Sequence, residues 1–102
     1  MLFRSAKIDL TQNDTKVDLT AEIVNKYGFD GINYKMYLAS YEQGGTLVDV
    51  KMTTLKELGE SVNTENEYLE VDSDISYVRA YIWDETMIPL CEDESLTLIF
   101  NG

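Results

Sequence analysis

Residues 16–23, Lys-Val-Asp-Leu-Thr-Ala-Glu-Ile, alternate polar and apolar side chains without a break. A side-chain period of two belongs to a strand with one face buried and the other in water. It puts Val17, Leu19, Ala21 and Ile23 on one face and Asp18, Thr20 and Glu22 on the other. Wound as a helix, the same residues would scatter their apolar groups around the whole circumference. Residues 76–84 repeat the pattern, with Val78, Ala80 and Ile82 on one side and Tyr77, Arg79, Tyr81 and Trp83 on the other.

Further strand-forming runs cover 7–10, 32–41, 46–52, 67–71 and 95–100, giving about seven strands. Gln43-Gly44-Gly45 between two apolar runs predicts a β-hairpin. Asn25–Gly31, Gly59–Asn63 and Asp72-Ser73-Asp74 read as loops or turns, and 54–58 is a short helix candidate. Strand–helix–strand alternation is absent, which argues against a parallel α/β fold. The expected fold is all-β, an antiparallel two-sheet sandwich of immunoglobulin-like or fibronectin-like form. Residues 1–5 are read as a disordered or non-native tail, because 2–5 resemble a translated adapter remnant. Residues 6–102 are read as one sandwich domain.

The chain's 102 residues are enough to bury roughly two-thirds of the unfolded surface in one core. Nineteen acidic residues against eight basic ones give a net charge of −11. Phosphate backbones and anionic lipids repel such a surface, so neither nucleic acid nor a membrane is an expected partner. The sharper reading of that charge is an acidic inhibitor or nucleic-acid mimic that fills a basic groove. The carboxylates are spread along the chain, which favours solubility instead. One cysteine, Cys91, permits no intrachain disulfide.

The chain contains no histidine, so Ser-His-Asp and Cys-His nucleophilic schemes are excluded. Acid–base chemistry is left to Asp72 with Asp74, Asp84 with Glu85, and Glu92-Asp93-Glu94. Paired-carboxylate catalysis needs a cleft that a sandwich of this size rarely encloses. The protein is therefore expected not to be an enzyme and to need no cofactor. Calcium is the one metal considered, at Asp72 and Asp74, where two carboxylates share a turn without the full calcium-loop pattern.

Tyr77, Arg79, Tyr81 and Trp83 are the candidate ligand-binding residues. Sugar-binding sandwiches lay Tyr or Trp rings flat on pyranose faces, and an aromatic face with an arginine also suits a protein contact. The competing expectation packs Tyr81 and Trp83 into the core, where immunoglobulin-like sandwiches commonly bury a single Trp.

Two segments carry a family resemblance. Residues 38–50, with Tyr41, the Gly44-Gly45 turn and Leu47-Val48, resemble a strand–turn–strand pattern of secreted Firmicutes proteins. Residues 78–84 with Met87-Ile88-Pro89-Leu90-Cys91 resemble the closing segment of the same modules, although Ile88 stands where the family often has Lys. These are C-terminal immunoglobulin- or fibronectin-like accessory modules of clostridial cell-surface and polysaccharide-degrading proteins. The resemblance implies a non-catalytic accessory module, secreted or at the cell surface as part of a larger bacterial protein, with its leader absent from this chain. Its work would be spacing, stabilising a neighbouring domain, or weak carbohydrate or protein contact. It implies no catalytic residue.

Overall fold

The computed structural model describes residues 6–25, 33–53, 56–57 and 61–100. Among them the chain forms β1 (Ala6–Asn13), β2 (Lys16–Asn25), β3 (Asn33–Tyr41), β4 (Leu47–Met52), β5 (Lys56–Glu57), β6 (Ser61–Glu70), β7 (Tyr77–Asp84) and β8 (Glu94–Thr97). Every pairing is antiparallel. One sheet runs β1-β2-β6, and the other runs β4-β3-β7-β8 with β5 also on β3. The two sheets pack face to face, as expected of the sandwich. The eighth strand is the two-residue β5. It occupies part of the 54–58 helix candidate, and the rest of that segment lies outside the described residues.

The alternation of β2 sets the first half of the core. Val17, Leu19, Ala21 and Ile23 are almost wholly buried, joined by Ile8 of β1 and Leu69 of β6. The second sheet answers with Tyr34, Met36 and Leu38 of β3 and Val78, Ala80 and Ile82 of β7. Val71, Ile75, Leu90, Cys91 and Leu98 close the ends. Cys91 is a buried free thiol. Burial and the neighbouring Asp93 and Glu92 push its pKa up to about 11, so it serves as a small apolar group.

β6 begins at Ser61, so 61–63 is strand rather than the expected polar break. Its ladder with β2 runs unbroken from Lys16↔Glu70 to Asn25↔Ser61. Backbone pairing overrides the low strand propensity of Asn and Glu. Two of its carboxylates point toward the opposite sheet and find partners at the open edge of the sandwich. Glu65 lies 2.5 Å from Lys56 Nζ and accepts a 2.8 Å hydrogen bond from the Tyr34 hydroxyl. Glu67 lies 2.9 Å from Lys51 Nζ, which also donates to the Tyr68 carbonyl. The far edge is closed by Gln12. Its side-chain amide donates to the Ile99 carbonyl at 2.8 Å and accepts from the Ile99 N–H at 2.9 Å. One glutamine thus stands in for a strand residue and ties β1 to the C-terminal segment.

The β3–β4 hairpin turns on Glu42–Gly45, where the Gly45 N–H donates to the Glu42 carbonyl at 3.1 Å. Gly44 has φ +97°, at the position of this turn that demands positive φ and therefore glycine. A β-bulge between Ser40 and Tyr41 follows from fitting the turn to the strands.

Trp83 and Tyr81 are not in the core, contrary to that sequence expectation. Both are only partly buried, while Val78, Ala80 and Ile82 on the opposite face of β7 are completely buried. The space between the sheets is already filled by aliphatic side chains and Tyr34, leaving no room for an indole.

Two stability measurements check this packing. Ile82→Ala should cost about 2–5 kcal/mol by urea denaturation, as for a fully buried side chain. Gly44→Ala should cost about 1–2 kcal/mol because an L-residue is strained at that φ. A cost below half a kcal/mol for Ile82→Ala would place it outside the core.

Candidate binding face

The outer face of the larger sheet is built by the positions that alternate with the core. On β7 these are Tyr77, Arg79, Tyr81 and Trp83. The β3–β7 register puts them opposite Tyr41, Ala39, Tyr37 and Lys35 in turn. On the other side of β3, Leu47, Val50 and Met52 of β4 stand opposite Tyr41, Ala39 and Tyr37. β8 adds Ser95 and Thr97 beside Arg79 and Tyr77.

The rings are in mutual contact. Tyr41 and Tyr77 stack with centroids 4.8 Å apart and planes 11° apart. Trp83 leans on Tyr37 at 4.9 Å and on Tyr81 at 5.2 Å, tilted by 48° and 47°. These are the separations and tilts at which aromatic pairs attract. The Tyr41 and Tyr81 hydroxyls are 3.3 Å apart. That hydrogen bond, with burial, pushes the Tyr41 pKa up to about 12, so the phenol is neutral at physiological pH. Arg79 lies over the Tyr77 ring at 5.9 Å and faces Asp93 at 3.9 Å. Ala39 points outward yet is 3% exposed, a small floor residue between tyrosines on its own strand and Arg79 and Val50 across from it.

This face has an unusual composition. None of the outward positions of β3, β4, β7 and β8 is a carboxylate, in a chain that has 19 acids. The outer face of β1-β2-β6 is the contrast, with Asp9, Asp18, Glu22 and Glu70 among its outward residues. Meanwhile Val50 and Met52 are 41% and 60% exposed. A polar outer face and an aromatic outer face on one sandwich are not interchangeable surfaces, and exposed contiguous apolar area marks a contact site.

The β7–β8 loop adds to one end of this face. Asp84 Oδ1 accepts hydrogen bonds from the Thr86 N–H and hydroxyl, both at 2.8 Å, and from the Ile88 N–H at 2.9 Å. The pinned loop holds Met87 at φ +67°, a conformation uncommon for a residue other than Gly, Asn or Asp. Met87 is 59% exposed, and its sulfur lies 3.9 Å from the Tyr37 hydroxyl.

The structure brings the four sequence candidates together on one side. Tyr37, Tyr41, Val50, Met52 and Met87 join them and were not singled out in the sequence. Their signal was the shared parity of Tyr37 and Tyr41 in 32–41, which becomes informative only with the β3–β7 register. Asp72 and Asp74 sit in an exposed turn, where Asp72 Oδ1 accepts the Asp74 N–H at 2.9 Å. Among the described residues no group of three or more Asp, Glu, His or Cys forms a cation site. Calcium takes six to eight oxygen ligands, and this turn assembles two carboxylates, one already engaged.

No protein-family model matches the chain, and no curated protein matches it.

The Asp84 pin gives a pH signature. The Ile88 and Thr86 donors hold its carboxyl below the ordinary range, outweighing burial, which pushes the other way. A lowered folded-state pKa contributes stability that is complete above the unfolded value of about 3.9 and is lost as pH falls through the folded value. Asp84→Asn should therefore be less stable than wild type at pH 7. The gap in melting temperature should close on acidification below pH of about 4. A gap independent of pH would remove the carboxylate's charge from the loop's stability.

Proposed function

We propose that this chain is a non-catalytic accessory β-sandwich module that works by contact. Its contact surface is the outer face of β4-β3-β7-β8, used to hold a neighbouring domain, another protein or a polysaccharide. The observation that carries this reading is the segregation of side chains: rings, methionines and valine dominate one outer face, with Glu57 of β5 at its end, and acids stand along the other. The core is complete without these rings, so their placement is not needed to bury the sheet.

Two further observations support it. The strand order, β1-β2-β6 against β4-β3-β7-β8, supports an immunoglobulin- or fibronectin-like reading of the sandwich, an architecture that hosts many cell-surface contact domains. The resemblance of segments 38–50 and 78–91 to clostridial accessory modules supports a setting in a larger bacterial surface or glycan-degrading protein, outside the cell.

A ligand screen on wild type and on a Tyr81→Ser/Trp83→Ser variant tests the reading. The probes are a glycan array and a displayed library of a small three-helix scaffold. Each aromatic pair is worth about 0.5–1.5 kcal/mol, so the variant should stay folded while every ligand selected by wild type weakens at least tenfold. A folded variant that keeps those ligands would remove the face from function. A wild type that selects nothing from either probe would overturn the contact reading.

A further inference from the structure

Resting on that reading, we propose that the partner is a protein whose docking surface has an apolar centre and a basic rim. Acids outnumber the one outward lysine of β3, Lys35, around this face. Glu42 stands in the turn beyond Tyr41. Asp93 lies beside Arg79 next to β8. Glu57 pairs in register with Asn33 at the lower end, where Glu85 accepts a hydrogen bond from the Asn33 side chain. The centre, by contrast, combines Tyr, Trp, Met and Arg, the residue types enriched at protein interfaces. An apolar centre flanked by charge is the anatomy of a specific protein contact, and the sign of those flanks selects the partner and steers its approach.

The area suits a transient contact. The four strands have nine, six, eight and four residues, so at about 3.3 Å per residue and about 4.8 Å per strand the face covers roughly 430 Å² before the loop residues, in the range of the smaller, weaker protein interfaces.

The same features disfavour the other occupants. In a symmetric pair of copies the rims oppose each other, so acid meets acid between chains that each carry −11. A sugar ring needs an open flat face, but Tyr41 and Tyr77 stack on each other and Trp83 is tilted between Tyr37 and Tyr81. Exposed Leu47, Val50 and Met52 offer methyl groups that a polysaccharide does not need and a protein does.

The test uses the scaffold library, panned on wild type and counter-selected on the Tyr81→Ser/Trp83→Ser variant. Selected binders should carry aliphatic or aromatic residues flanked by Lys and Arg. Their affinity should fall at least tenfold between 50 and 500 mM NaCl, as about a tenfold or larger screening effect is usual for steered charge pairs. Neutralising the rim (Glu42→Gln, Glu57→Gln, Glu85→Gln, Asp93→Asn) should weaken them and flatten that salt dependence. Binders without basic residues, or indifferent to salt and to the rim variant, would overturn the partner class while leaving the contact face in place. So would a wild-type dimer in sedimentation that the Trp83 variant abolishes, or glycan-array binding in place of scaffold binding. Binders equally tight on the counter-selection variant would overturn both proposals.

Discussion

The pleat of β7 is the constraint on which this molecule depends. Val78, Ala80 and Ile82 are fully buried, and because successive side chains point to opposite faces, Tyr77, Arg79, Tyr81 and Trp83 must point away from the core. β7 pairs with β3 on one side and β8 on the other, so its parity is imposed on the whole larger sheet. A slip of one residue would drive an indole and two phenols into a space filled by aliphatic groups and expose three aliphatic residues. The aromatic face therefore follows directly from packing the core with small side chains.

Much of this was legible in the sequence. Strict alternation in 16–23 and 76–84 fixed two strands and the residues sharing each face, and Gly44-Gly45 marked a hairpin. Which face of β7 is the core was not legible. Both sides are apolar enough to be buried, and the habit of sandwiches to bury a lone Trp pointed the wrong way. The structure makes the choice: Val78, Ala80 and Ile82 share one buried cluster with Leu19 and Ile23. The first half of β6 escaped for a different reason. Ser61-Val62-Asn63-Thr64-Glu65-Asn66 has mixed strand propensity and no clean pattern, and its strand exists because β2 supplies a full ladder and because Lys51 and Lys56 pair with its inward acids while the Tyr34 hydroxyl donates to Glu65.

Charge and shape separate along the same line. The acids at the β6 edge hold the two sheets together, those on the smaller sheet face water, and those around the larger sheet frame an apolar surface. A net charge that reads from composition as simple solubility is thus distributed in three roles. The loop pinned by Asp84 belongs to the third region, since it sets Met87 against Tyr37 at the end of the face.

The central claim is that Trp83 belongs to an accessible outer surface of a folded sandwich. Trp83 is the sole tryptophan of the chain, so its fluorescence reports on this one position. Acrylamide quenching of the native protein, compared with the urea-unfolded chain, measures its accessibility directly. Quenching in the native state should reach a substantial fraction of the unfolded value. A native indole with blue-shifted emission that acrylamide does not reach would put Trp83 in the core and contradict it.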